Sequence, residues 1–175
     1  EPRRSTVSII APAGYGKTML LAQWATVERR DVAWLTVDDF DNVPSVFLTY
    51  LAAALDRVEP IDGAITSALS AHGSRILSAA VPRLASELHR WRRPRLLVLD
   101  DLHRLTDRTC LDALEALITH LPTGFQVALA ARTRPELPLG RFRADRSLLE
   151  IDRDGLAMDA DETRALARAM GQPMG

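Results

Sequence analysis

Lys17 is the one lysine among 22 basic residues; every other is arginine. It stands in Ala11-Pro-Ala-Gly-Tyr-Gly-Lys-Thr18, which matches the pattern G-x-x-x-x-G-K-S/T except that alanine replaces the first glycine. A loop that wraps phosphate must turn successive backbone N–H groups inward, so it needs residues free of Cβ clashes. Gly14 and Gly16 supply that freedom, and the stretch from Ala13 through Tyr15 to Met19 would line the phosphates. A helix opening at Lys17 adds unpaired N–H groups and the positive end of its dipole. The Lys17 ammonium would reach β- and γ-phosphate oxygens, and the Thr18 hydroxyl would sit on Mg²⁺. Ala11 would close the preceding strand, where a small side chain suffices. The bland alternative is a plain glycine turn before a helix. A Rossmann turn is disfavoured, because Met19 stands where G-x-G-x-x-G needs its third glycine.

Such a loop needs a metal partner at the end of another strand, and Leu96-Leu-Val-Leu-Asp100-Asp101 offers one. Asp100 is the candidate Mg²⁺ carboxylate, acting through water, and Asp101 would lie beside the γ-phosphate and orient the attacking water. A carboxylate one methylene shorter than the glutamate of many ATPases points to slow hydrolysis. Alone, four apolar residues before aspartate mark only a strand end; the loop some eighty residues earlier gives them their functional reading. Arg132 ends a later strand in Ala130-Ala-Arg-Thr-Arg-Pro135. In a sheet ordered 5-1-4-3-2, that strand would separate the first strand from the Asp100 strand only if the latter stood third from the edge. In either case its end faces the nucleotide edge, where Arg132 would contact the γ-phosphate and sense its loss. Arg134 competes for that role.

The elements that must hold these residues alternate in type. Strands are expected at Thr6–Ala11, Ala33–Val37, Leu96–Leu99, Val127–Ala130 and Leu148–Ile151. The Leu96–Leu99 run, apolar throughout, suits a strand covered on both faces. A helix from about Lys17 to Glu28 would turn Leu20, Leu21, Trp24 and Val27 inward. A second opens at Asp41-Asn-Val-Pro44, with Asn42 or Ser45 as cap and Phe47, Tyr50, Leu51, Ala54, Leu55 and Val58 as its buried stripe. Residues 59–75 carry Pro60, Gly63 and Gly73 around a weakly helical segment. Pro82 suits the first turn of a helix reaching Trp91. Another runs from Arg108 to Leu121, capped by Asp107, with Leu111, Leu114, Leu117, Ile118 and Leu121 inward. A last helix begins near Asp161. Strands alternating with helices imply a parallel sheet with right-handed crossovers.

Composition narrows the rest. The 175 residues fit one domain, and 47% hydrophobic content supplies a core. A net charge of −1 argues against a domain whose main task is coating nucleic acid or an anionic membrane. Charged residues interrupt every long apolar run, so no spanning helix is expected. No secretory signal precedes the first strand, and lone Cys110 cannot form an internal disulfide; both suit the cytoplasm. The four histidines and Cys110 show no metal-ligand spacing. His89-Arg-Trp-Arg-Arg-Pro-Arg95 is basic around an aromatic, which can mark nucleic-acid binding; we read it instead as arginines complementing a helix C-terminus. Asp38 and Asp39 end the second strand, where they either line the cleft or cap the turn.

Together, Ala-Gly-Tyr-Gly-Lys-Thr18, Leu-Asp-Asp-Leu-His103 and Ala-Arg132-Thr-Arg-Pro-x-Leu-Pro138 resemble the NB-ARC/NACHT-like nucleotide-binding domain of MalT-type STAND ATPases, found in large ATP-binding LuxR-family transcriptional regulators. Trp34-Leu-Thr-Val-Asp38, Asp41-Asn-x-Pro44 before Phe47 and Tyr50-Leu51, and Leu149-x-Ile151…Leu156 before Asp161-Glu162 resemble the same family. The likeness spans about residues 6–168. It implies a three-layer α/β/α P-loop NTPase with five parallel strands in order 5-1-4-3-2. It also implies a cytoplasmic switch that rests with ADP, exchanges it for ATP on sensing an inducer, self-associates through the full-length protein and resets by hydrolysis. By resemblance, Lys17, Thr18, Asp100 and Arg132 take the roles given above, and His103 falls on the family's Asp-Asp-x-His position as a site neighbour, or simply packs locally at a helix start.

The domain is expected to occupy residues 1–175, with a core at about 6–155 and the start of a truncated helical region at 156–175. An upstream adenine-holding segment, a sensor and a DNA-binding domain would belong to a longer parent, so DNA would be met only through a domain absent here. Some such parents carry a kinase or cyclase domain instead of, or beside, the DNA reader. Two rivals stand beside the ATP/ADP switch: a P-loop small-molecule phosphotransferase, which would need an acceptor pocket and a lid that residues 59–75 are poorly equipped to form, and a nucleotide-binding module without hydrolysis. An AAA+ motor would need a trans arginine finger, and none is readable.

Overall fold

Strands β1 (Thr6–Ile10), β2 (Asp31–Thr36), β3 (Arg95–Asp100), β4 (Gln126–Ala131) and β5 (Leu148–Ile151) pair in parallel as one sheet, in the spatial order β2-β3-β4-β1-β5. The structure, a computed structural model, describes residues 5–70 and 76–156. From the other edge the order reads 5-1-4-3-2, as expected. β3 stands second from the edge, not third, yet β4 still separates it from β1. That placement brings the residue after β4 out between the ends of β1 and β3.

Handedness assigns the helices to faces. The step from β1 to β2 runs toward one edge, and every later step runs back the other way, so right-handed crossovers put the first helix alone on one face. That helix is α1 (Lys17–Val27). Leu21 packs there with Val7, Ile9, Leu96, Val98, Ala128 and Ala130. The opposite face carries α2 (Pro44–Asp56), α3 (Gly63–Ser70), α4 (Val81–Leu88), α5 (Arg108–Thr119) and α6 (Leu139–Ala144) over Leu97, Leu99, Val127 and Leu129. All six residues of β3 are buried, which explains its continuous apolar run. A short α7 (Arg153–Leu156) returns Leu156 to the α1 face.

Several expectations need correction. Val27 is 78% exposed and Tyr50 54% exposed, so neither belongs to a buried stripe. Leu48 and Ala52 take the inner positions of α2 instead. Neither Asn42 nor Ser45 caps α2: the cap position is Val43, which makes no side-chain cap, and Pro44 takes the first helical position, where a missing N–H costs nothing. Asn42 works across the fold, donating to the Arg104 carbonyl at 2.8 Å and accepting from the Thr106 and Asp107 N–H groups at 2.7 and 2.9 Å. Asp107 does cap α5, accepting from the Cys110 N–H at 3.0 Å. Residues 76–80 form a π-helical turn before α4. The helix expected near Asp161 lies outside the described residues.

Within the basic stretch 89–95, Trp91 and Arg95 are structural. Arg95 is buried, pairs with Glu59 at 2.6 Å and Asp31 at 3.3 Å, and lies 5.7 Å over the buried Trp91 ring. Trp91 in turn stacks obliquely on Phe125 at 6.0 Å. Among the described residues no helix is long and apolar enough to cross a membrane.

Glu28 ties the C-terminus of α1 to the sheet. Its carboxylate accepts from the Arg29 and Arg30 N–H groups, the Trp24 indole at 3.1 Å and the Arg30 guanidinium at 2.6 Å, which also reaches Gln126. Chiefly through Arg30, and against desolvation, its pKa is held down at about 2. A carboxyl depressed in the folded state contributes stability above its unfolded pKa and loses it as pH falls toward the folded value. Unfolding free energy should therefore fall by about 1–2 kcal/mol more in the wild type than in Glu28→Gln between pH 4.5 and 2. Denaturant melts of the two proteins across that window check this.

Candidate functional site

The end of β1 builds the loop. The Ala11 N–H donates to the Ala131 carbonyl at 3.2 Å, extending the ladder one residue past β1. Ala11 is buried and its φ is not positive, so the position demands a small side chain rather than a glycine backbone. Gly14 (φ 85) and Gly16 (φ 74) are left-handed. A Cβ on either would meet nothing within 4 Å, so their need for glycine is conformational and not spatial. Gly16 precedes α1 without any side-chain cap, and no acidic residue stands in the first turn. The opening N–H groups and the dipole are thus left uncompensated by the protein.

Lys17, only 7% exposed, folds back over the loop. Its ammonium donates to the Ala11 carbonyl at 2.8 Å and the Pro12 carbonyl at 2.9 Å. The Thr18 hydroxyl donates to Asp100 Oδ2 at 2.7 Å, across 82 residues of sequence. Asp100 is buried, and its Oδ1 accepts from the Asp101 N–H at 2.9 Å. Asp101 has φ 54, an unusual left-handed backbone for a non-glycine residue. It begins the 3₁₀ turn Leu102–Arg104.

These groups surround one cleft of ≈ 530 Å³ whose wall includes Ala13, Gly14, Gly16, Lys17, Thr18, Met19, Asp101 and Arg132. Asp100 lies just beneath, behind the Thr18 hydroxyl. Tyr15 is not among the residues lining the cleft and is 41% exposed. Ala22, one turn beyond Thr18, also lines it; the four-residue spacing on α1 was the available sign. Arg132 follows β4 and forms no ion pair with any described residue. Its competitor Arg134 is engaged with Glu150 at 2.9 Å, a carboxylate shared with Arg143.

The remaining candidates do not line the cleft. Asp38 caps the turn Asp39–Asp41, accepting from the Phe40 N–H at 2.7 Å, and Asp39 pairs with Arg104 at 3.0 Å. Both therefore take the capping and turn roles. Asp41 is buried beside Asp38, and desolvation raises its pKa. His103 lies behind Asp101, its Nδ1 3.8 Å from Asp101 Oδ1. Burial above all pushes the imidazole pKa down; Asp101 pulls it up, and Arg132, Arg104 and Lys17 add to the lowering. Burial likewise pushes the Cys110 thiol up to about 12, so it is no nucleophile.

Among the described residues there is no group of three or more histidine, cysteine or acidic side chains able to cage a metal. The Thr18 hydroxyl and the Asp100 carboxylate are a pair of hard oxygen donors already facing each other. That set fits a small cation such as Mg²⁺, which takes one or two protein oxygens and completes its shell with phosphate oxygens and water.

Residues 1–130 match the AAA ATPase domain family. The chain is 36% identical to the HTH-type transcriptional regulator MalT of Yersinia enterocolitica over 157 residues, covering 89% of this chain and 17% of that protein. It is 37% identical to MalT of Serratia proteamaculans over 154 residues, 87% of this chain and 17% of that one. Over 173 residues it is 35% identical to the serine/threonine-protein kinase PknK of Mycobacterium tuberculosis, 97% of this chain and 16% of that kinase. The chain thus spans about a sixth of the length of these curated relatives. With a parallel 5-1-4-3-2 sheet and a glycine-lysine-threonine loop at the end of β1, the chain belongs to the AAA ATPase domain family and is a nucleotide-binding domain of the MalT type.

Proposed function

We propose that this domain binds ATP and ADP with Mg²⁺ and hydrolyses ATP slowly, as the switch of a longer cytoplasmic signalling protein. The observation that carries this reading is the convergence of Lys17, the Thr18–Asp100 pair, Asp101 and Arg132 on one cleft, from the ends of β1, β3 and β4. The loop N–H groups and the start of α1 would take the phosphates. Lys17 would exchange its two carbonyl partners for β- and γ-phosphate oxygens, a swap that keeps its ammonium satisfied throughout. Thr18 and Asp100 would hold Mg²⁺, which when bound withdraws charge from the phosphate oxygens.

Asp101 would take up the proton of the attacking water. The water oxygen bonds to the γ-phosphorus, the bond from that phosphorus to the β–γ bridging oxygen breaks, and ADP leaves with its electron pair as inorganic phosphate forms. The aspartate side chain is short for this task, which suits a clock-like rather than a metabolic rate. Arg132 would neutralise charge on the transferring group and report its loss. Related segments occur in a protein named as a transcriptional regulator and in one named as a kinase, which favours a reusable switch over a dedicated metabolic enzyme. ATP-dependent self-association and any DNA contact belong, in this reading, to the whole protein.

The test is phosphate release from ATP in Mg²⁺ by the wild type and Arg132→Ala. Turnover should be slow but measurable, and should fall at least about tenfold in the variant with ADP affinity unchanged. Nucleotide binding with no hydrolysis by the wild type would replace this reading with the non-hydrolysing module.

A further inference from the structure

We propose that the free edge of β2 joins a second copy of this chain across a two-fold axis, by antiparallel β2–β2 pairing that makes one continuous sheet. This pairing needs no nucleotide, and so differs from the ATP-dependent self-association given above to the whole protein. β2 pairs on one side with β3, and among the described residues no strand pairs with its other side. The Val37 N–H donates to the Asp100 carbonyl at 2.9 Å, which turns the backbone polar groups of odd-numbered residues toward β3. Those of Val32, Trp34 and Thr36 therefore point out from the edge. Edge strands are commonly guarded by proline, lysine or a bulge. Asp31–Thr36 has none of these, and its one charged residue, Asp31, is engaged by Arg95 at 3.3 Å.

The flanks of the strand name the partner, because each end offers what the other lacks. Val27 and Phe40 are the two most exposed large apolar side chains among the described residues, and they stand just before and just after β2. Arg29 is exposed at the first end, Asp38 and Asp39 at the second. A two-fold axis normal to the sheet leaves each face on its own side, so residues opposite one another share parity. With Trp34 opposite its own copy, Val32 meets Thr36. The same register continues to Arg30 against Asp38 and Arg29 against Asp39, and carries Phe40 of one copy to the Val27 end of the other. Parallel pairing would set like charges together at both ends. The antiparallel pair gains about six backbone hydrogen bonds and a cross-strand contact between the half-buried Trp34 rings. On the opposite face, α2 packs on β2, runs from Asn42 to Leu55 without a charged residue, and exposes Val43 and Tyr50. A surface helix normally keeps a charged side toward water. The match between the two ends of one edge selects a second copy over an unrelated peptide.

Sedimentation equilibrium of the chain without nucleotide should show the mean mass rising with concentration from one chain toward two, and Lys17→Ala should behave alike. Amide exchange at Val32, Trp34 and Thr36 should slow as the dimer forms, with no such slowing on β5. Arg29→Asp and Asp39→Arg, both at exposed positions, should each weaken the dimer at least about tenfold by setting like charges together. The double variant should return to within about threefold of wild type. Phe40→Ser, at a side chain too exposed to support the fold, should weaken it about tenfold. A one-chain mass at every concentration up to millimolar, a dimer that forms only with ATP, protection that falls on another face, or a double variant no tighter than the single ones would each overturn the proposal. Failure of the wild type to bind nucleotide would count against the proposed function alone and leave these results unmoved.

Discussion

Replacing Lys17 with alanine should yield a folded domain that no longer retains nucleotide. The ammonium contributes two charge-assisted bonds to carbonyls within its own loop, so its loss costs about 1–2 kcal/mol of stability, readable in a thermal melt. Against phosphate the same group meets a multiply charged partner, and two such bonds are worth about 3–4 kcal/mol, a loss of at least about 100-fold in affinity. Lys17→Arg should not rescue. Lys17 is nearly buried under the loop, and a wider planar guanidinium cannot take both the two-carbonyl pose and the phosphate pose. A chain that otherwise uses only arginine keeps lysine where a compact ammonium is needed. Nucleotide affinity in Lys17→Ala within threefold of wild type would remove Lys17 from the site.

Asp101→Asn should separate binding from hydrolysis. Asparagine tolerates the left-handed backbone at this position, so the fold and the Asp100 hydrogen bond survive. Asp101 contributes no bond to the loop or to Thr18, so ATP and ADP affinities should stay within about twofold. Phosphate release should fall by about 100-fold or more, the usual effect of removing a general base. Turnover equal to wild type would leave Asp101 a bystander and pass water activation to another group.

What could be read without coordinates was whatever depends on local chemistry. The loop is legible because phosphate imposes glycine, lysine and threonine at fixed spacing, and the strands because β-branched and leucine runs break at Pro12, Asp100 and Arg132. The order of the strands came from family resemblance; periodicity says that a strand exists but not which neighbour it takes. Tertiary choices stayed hidden. Asn42 looks like a helix cap, yet it binds residues more than sixty positions away, and the cap position falls on Val43. Tyr50 and Val27 follow helical spacing but are exposed, because apolar spacing alone does not say which side of a helix packs. α6 was missed because Leu139–Ala144 is short and hidden among prolines and arginines. Arg132 stands out in the sequence by its place at the strand end, with Arg134 as its competitor; that Glu150 on β5 engages Arg134 is not legible there.

The cleft between α1 and the ends of β3 and β4 should take a nucleoside polyphosphate. The direct measurement is an equilibrium titration of the wild-type domain with fluorescent ATP and ADP analogues in Mg²⁺, competed by unlabelled nucleotides, with Lys17→Ala alongside. Saturable one-to-one binding is expected, displaced by ATP and ADP and abolished in the variant. Binding that survives in Lys17→Ala undiminished, or a wild type that fails to saturate at millimolar nucleotide, would contradict it.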